Sequence, residues 1–226
     1  MQQSEHIDPR PDLSPDLRPD PSPDPSLDPS PDLGLGPKPS DALLLIDVQV
    51  DFLPGGNLAV PNGDEVVPVL NHYIRSFQDR GLPVFATRDW HPANHRSFLA
   101  QGGPWPAHCI QNTGGAEFAA GLQFPSDVRV ISKAASPDRE AYSGFQGTDL
   151  HERLQSLGTE RLFIGGLATD YCVLNTVRDA VSLGYGVVLL EDAIKAVNVH
   201  PDDGAKALAE MLRLGAVPTQ AGMLAA

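Results

Sequence analysis

Continuous apolar runs recur along the chain: Leu43-Leu44-Leu45-Ile46, Pro83-Val84-Phe85-Ala86, Val128-Arg129-Val130-Ile131, Arg161-Leu162-Phe163-Ile164 and Gly186-Val187-Val188-Leu189-Leu190. Runs without polar alternation predict strands covered on both faces. A last, shorter one is Ala216-Val217-Pro218. Between the runs, apolar residues recur at helical spacing. Val66, Leu70, Ile74 and Phe77 share one face, which Gly81 ends; Leu150, Leu154 and Leu157 precede Gly158. Val173, Val177, Ala180, Val181 and Gly184 form a third stripe, and Ala207, Leu208, Met211 and Leu212 a fourth. Strands alternating with helices require crossover connections, so the expected class is α/β: a three-layer, doubly wound parallel sheet.

Before Asp41 this pattern is absent. Residues 8–32 repeat Asp-Pro and Pro-Asp with Ser and Leu between, and the first 40 residues hold 11 of the 22 prolines. Proline removes donors and like charges repel, so such a segment cannot bury a core. The expected organisation is a disordered, Pro/Asp-rich arm over residues 1–40 and one domain over 41–226. The arm could bind a partner, be passive, or be translated sequence upstream of a true start near Asp41.

Charge narrows the function. The formal net charge is −13, which argues against nonspecific nucleic-acid binding and against docking on an anionic membrane. No apolar run approaches a membrane span, and no secretory signal opens the chain. Two cysteines, Cys109 and Cys172, make no disulfide framework; the expected compartment is the cytoplasm.

In a doubly wound sheet, ligands bind beyond the carboxyl ends of the strands. Four consecutive runs are each followed there by reactive side chains: Asp47 to Phe52, Thr87 to Pro92, Ser132-Lys133, and Gly165 to Cys172. Asp47 ends an apolar run, where burial would raise its pKa and suit it to proton transfer; alternatively it caps the next loop. Asp51 reads as structural. Lys133 is either a buried cation with Asp47 as counter-ion or an exposed strand-end lysine. Cys172 starts the third helical stripe, where helix amides favour a thiolate. The preceding Gly165-Gly166-Leu167-Ala168 could turn backbone N–H groups toward an oxyanion. Cys109 reads as packing.

Asp89 and His91, two residues apart, point the same way in an extended segment and could meet one metal; His108 offers a further imidazole. Two imidazoles and one carboxylate leave open positions, as catalytic sites do. His95 is a fourth candidate, read first as a loop histidine behind the ligands, and His200 reads as surface. Phe52 and Trp105 flank these residues and suit the walls of a site for a flat ring; Trp90 could be wall or core.

Through these residues the chain resembles the nicotinamidase/pyrazinamidase branch of the isochorismatase-like cysteine hydrolases. The resemblance rests on Asp47-Val48-Gln49-Val50-Asp51-Phe52, on Asp89 to Phe98, and on Trp105-Pro106-Ala107-His108-Cys109. It continues in Lys133, Tyr142-Ser143-Gly144-Phe145 and Gly166 to Val173. It implies a six-stranded parallel sheet and a triad of Asp47, Lys133 and Cys172. It implies a divalent metal, zinc foremost with iron or manganese as alternatives, on Asp89, His91 and His108. An oxyanion hole from the backbone N–H groups of Ala168 and Cys172, beside a cis peptide before Ala168, is implied too. Relatives differ over a fourth ligand, which leaves His95 open. Relatives that split isochorismate lack the cysteine, and those acting on carbamoyl compounds usually lack the metal pair; this chain carries both features. The implied activity is hydrolysis of nicotinamide to nicotinate and ammonia through a cysteine thioester, serving NAD salvage. The alternatives are an amidase for another small amide, a mononuclear non-heme iron enzyme, and a metal-binding protein without catalysis. Assembly into a homo-oligomer stays open.

Overall fold

The computed structural model describes residues 35–223. The arm expected over residues 1–40 lies outside the described residues as far as position 34. The remainder of it does not behave as an arm. Leu35 is buried in the core, Arg161 donates to the Gly36 carbonyl at 3.0 Å, and Glu160 N–H donates to Ser40 O at 2.8 Å. The ordered fold therefore begins ahead of Asp41.

The elements follow the apolar pattern: β1 (Asp41–Ile46), α1 (Val66–Gln78), β2 (Val84–Asp89), β3 (Arg129–Lys133), α2 (Leu150–Ser156), β4 (Arg161–Leu167), α3 (Leu174–Ser182), β5 (Gly186–Lys195), α4 (Asp203–Arg213) and β6 (Val217–Thr219). The strands form one six-stranded sheet, ordered β3-β2-β1-β4-β5-β6, with every pairing parallel. All six residues of β1 are buried. Successive strand side chains point to opposite faces, and the core divides accordingly. Leu43, Leu45, Phe163, Val188 and Leu190 pack against Leu70, Ile74 and Phe77 of α1. Leu44, Ile46, Leu162, Ile164 and Leu189 pack against Leu150 and Leu154 of α2, Val177 of α3 and Met211 of α4. The result is the expected three-layer arrangement.

Two strands run longer than their apolar runs. β4 includes Gly165, Gly166 and Leu167, so the two glycines lie in the strand and not in the turn that the sequence suggested. Gly166 has φ 123°, and a Cβ there would collide with the backbone of Ile46 in β1; only glycine permits that approach. β5 continues to Lys195 through Glu191 and Asp192, and its register against β4 shifts between Ile164 and Gly166. Asp192 accepts hydrogen bonds from Tyr73 Oη (2.9 Å) and Ala221 N (2.8 Å), which accounts for an acid inside a strand.

Among the described residues, no helix is long and apolar enough to cross a membrane.

Candidate active site

The sheet order reverses between β1 and β4, and the polar residues flagged in the sequence converge at the carboxyl edge around that point. Asp47 follows β1, Asp89 ends β2, Lys133 ends β3, and Cys172 follows β4 in a single π-helical turn, Thr169–Val173, that leads into α3. The backbone is strained where it delivers them. Asp47 has φ 47°, Cys109, next to His108, φ 46°, and Ala134, next to Lys133, φ 52°. Non-glycine residues in this region cost free energy that surrounding contacts must offset.

Lys133 organises the centre. It is 1% exposed, and an ammonium has three N–H bonds to place. Its three hydrogen-bond acceptors are Asp89 Oδ1 at 2.5 Å, Ala141 O at 3.1 Å and Cys172 Sγ at 3.5 Å. Asp47 Oδ2 lies 2.9 Å from the same nitrogen, so Lys133 is ion-paired with both carboxylates. Asp47 Oδ1 accepts from the Thr87 hydroxyl at 2.6 Å. A fully buried carboxylate is thus within reach of the thiol proton, in a group where Asp47, Asp89 and Cys172 offer atoms within 4.8 Å of one another.

The protonation states follow from this packing. Burial raises the Asp47 carboxyl above its ordinary value; Lys133 opposes the rise and Asp89 adds to it. Burial also acts to raise Asp89, but Lys133, His91 and His108 outweigh it, and its pKa is lowered. Burial acts to lower Lys133, and Asp47, Asp89 and Cys172 reverse this, so Lys133 stays charged. The Cys172 thiol is pushed well above its ordinary value, first by burial and then, against Lys133, by Asp47 and Asp89. This differs from the resting thiolate that a helix-start position suggested. The surrounding carboxylates and the dry setting exceed the pull of Lys133, so the proton rests on sulfur.

Beside this centre, Asp89, His91 and His108 offer ligand atoms within 4.8 Å of one another, all buried. His91 Nδ1 bonds His108 O at 3.2 Å, and His108 Nδ1 bonds Pro106 O at 2.8 Å. A carbonyl accepts only, so both rings carry the proton on Nδ1 and present Nε2 lone pairs. His91 Nε2 is buried with no hydrogen-bond partner among the described residues. His108 Nε2 is 3.9 Å from Asp89 Oδ2, the oxygen not bonded to Lys133. Burial lowers the His91 pKa to about 4, keeping the ring neutral. An orphaned imidazole nitrogen, a second imidazole fixed in the ligating tautomer and an ionised carboxylate fit a divalent metal.

His95 lies outside that set. Ser97 N–H donates to His95 Nδ1 at 3.3 Å, so Nε2 carries the proton, which it donates to Arg139 O at 3.0 Å. Its ring packs 4.3 Å from His91, centroid to centroid, and so backs it. Asp51 is structural as expected: it accepts from Cys109 N at 2.7 Å and Asn57 N at 3.1 Å. Cys109 is buried, with its thiol pKa raised chiefly by burial. His200 is exposed.

A cavity joins the two clusters, lined by Phe52, Trp105, His108, Tyr142, Ala168 and Cys172, among others. Trp105 donates its indole N–H to Tyr142 Oη at 3.0 Å. Trp90 is not a wall; it lies against the core under the Arg88 guanidinium, 3.7 Å from its ring centroid. The peptide before Ala168 is cis. Two contributors escaped the sequence reading. Thr87 holds Asp47, and Gln49 clamps the Asp89 backbone, donating to Asp89 O and accepting from Asp89 N, both at 2.8 Å. Their signal was a polar residue wholly buried beside an apolar run, visible only once burial is known.

Fold and site together define an α/β protein with a buried Cys-Lys-Asp centre beside a His-His-carboxylate cluster. The chain belongs to the isochorismatase family, whose domain it matches over residues 41–222. It is 42% identical to a nicotinamidase of Escherichia coli over 199 residues, covering 79% of this chain and 93% of that one. A zinc complex of the pyrazinamidase of Pyrococcus horikoshii superposes with a TM-score of 0.77 at 51% identity, covering 80% of this chain and 99% of the other. An L. infantum protein in complex with nicotinate does so with a TM-score of 0.75 at 37% identity, covering 83% and 96%.

Proposed function

We propose that the protein is a nicotinamidase, hydrolysing nicotinamide to nicotinate and ammonia for reuse in NAD salvage. The observation that carries the reading is the buried Asp47 carboxylate in one group with the Cys172 thiol, with Lys133 in contact with both. Its relatives act on this chemistry: a nicotinamidase and a pyrazinamidase are the proteins it most plainly resembles among those compared above.

The steps use this chain's own groups. Asp47 Oδ2 takes the thiol proton as sulfur attacks the carboxamide carbon, and Lys133 steadies the forming thiolate. The raised pKa of Asp47 makes it a stronger base than an ordinary carboxylate. The backbone N–H groups of Ala168 and Cys172 stabilise the oxyanion. Asp47 returns the proton to nitrogen, ammonia leaves, and a thioester remains. Water, relieved of a proton by Asp47, then releases nicotinate. Phe52 and Trp105 sandwich the ring. Asp89, His91 and His108 would hold the metal, which when bound supplies an open coordination position to the ring nitrogen; zinc suits this donor set best. Two unpaired cysteines agree with a cytoplasmic site of action.

The experiment is an ammonia-release assay with nicotinamide, with nicotinate identified as the co-product. Turnover of nicotinamide supports the reading. Turnover of some other small amide with none of nicotinamide would move the substrate and leave the chemistry.

A further inference from the structure

The turn that carries Cys172 is tied to a neighbouring wall of the cavity through the Asp170 side chain. Asp170 accepts from the backbone N–H of Val197 at 2.9 Å and of Asn198 at 2.8 Å. These two residues lie just beyond β5, in the irregular segment that leads to α4. Val197 lines the same cavity as Ala168, Tyr171 and Cys172. Asn198, itself at φ 54°, passes the connection on: its Oδ1 accepts Gly204 N–H at 2.8 Å in the first turn of α4. A side chain on Gly204 would run against Ala196 and Asn198, so the segment is fitted closely on that side as well. The turn bearing Cys172 has its own internal bonds, Tyr171 N–H and Val173 N–H both to Ala168 O at 3.1 Å, and does not depend on Asp170 for its shape.

We propose that Asp170 is a positioning residue that fixes the Val197 wall of the cavity against the Cys172 turn, and so sets how closely the site grips the amide substrate. A carboxylate accepting two adjacent N–H groups holds a segment in one register; charged hydrogen bonds of this kind are the strong ones. Cutting them frees residues 196–198 and leaves Cys172, Lys133 and Asp47 in place. The cost falls on substrate binding.

This rests on the nicotinamidase reading, and its test separates the two. Steady-state constants are measured for the full-length metal-loaded protein, for Asp170→Ala, Asp170→Asn and Val197→Ala, and for the Asp170→Ala/Val197→Ala pair. Backbone amide exchange at Val197 and Asn198 and the rate of Cys172 alkylation are measured on the same proteins. Asp170→Ala is expected to raise KM about tenfold, with kcat changed far less, the scale of losing charged hydrogen bonds. Asp170→Asn, which keeps one acceptor oxygen, should fall between. Both amides should exchange faster, and Cys172 alkylation should keep its rate. With Val197 already truncated, removing Asp170 should add little to KM, because the two act through one wall. A purely additive pair, an unchanged KM, or a fall in kcat alone would overturn the assignment. If the wild-type protein fails to hydrolyse nicotinamide, the functional reading falls. The clamp then stands or falls on nicotinate binding: Asp170→Ala must weaken it and speed both amides, and unchanged binding or exchange would overturn the clamp.

Discussion

At the scale of single residues, the site turns on where one ammonium places its protons. Lys133 shares its protons among Asp89, Ala141, Cys172 and Asp47, and its charge holds the two carboxylates beside the thiol. Thr87 donates a hydrogen bond to the Asp47 carboxylate, and that bond lowers a pKa that burial has raised. Activity needs Asp47 ionised, so kcat/KM should fall as pH drops through a midpoint above the ordinary value of 3.8. Thr87→Val should move that midpoint upward and cost about tenfold in kcat/KM at neutral pH, read from pH-rate profiles. A midpoint unchanged by Thr87→Val would separate Asp47 from the acid limb. His91 makes a second prediction, about stability. Its folded pKa is near 4 against 6.5 unfolded, so the unfolded chain binds the extra proton between these values. Metal-stripped protein should lose stability as pH falls from 6.5 toward 4, by about 3 kcal/mol from this group. His91→Gln should flatten that part of the denaturation profile.

At the scale of elements, helices and strands were legible because their apolar periods are unambiguous, as in the Val66, Leu70, Ile74 and Phe77 stripe of α1. What periodicity could not carry were features decided by distant contacts. Gly165 and Gly166 read as a turn until β1 is seen to need the bare backbone of Gly166, and α1 and β5 to crowd Gly165. Glu191 and Asp192 break an apolar run, yet Tyr73 and the segment near Ala221 give Asp192 a reason to stay in β5. Leu35 sits in proline-rich sequence and reads as arm; only the tertiary fold supplies its buried seat. Leu35→Ala should therefore lower the melting temperature, with a cost of about 2 kcal/mol, or several degrees for a domain of this size. A thermal scan showing no shift would return residues 35–40 to the arm.

At the scale of the whole molecule, the sheet brings four strand ends together, and the sequence order alone allowed their polar residues to be grouped before any coordinates. Tautomers, the orphaned His91 nitrogen and the hydrogen-bonded seat of His95 behind His91 needed the hydrogen bonds. In the function proposed, the two clusters divide the work, with recognition on one side of the cavity and covalent chemistry on the other. Benzamide keeps the carboxamide and lacks the ring nitrogen, so metal-loaded enzyme should favour nicotinamide by roughly a hundredfold in kcat/KM, and metal removal should shrink that gap. A full preference retained without metal would assign recognition to the walls. The central claim is the covalent step at Cys172, and the most direct measurement is rapid quenching of enzyme mixed with nicotinamide, followed by intact-mass and peptide analysis. The account predicts a transient nicotinoyl adduct on Cys172 that rises before steady-state nicotinate and is absent in a folded, inactive Cys172→Ala protein. Sustained nicotinate production by Cys172→Ala, or an adduct on any other residue, would contradict it.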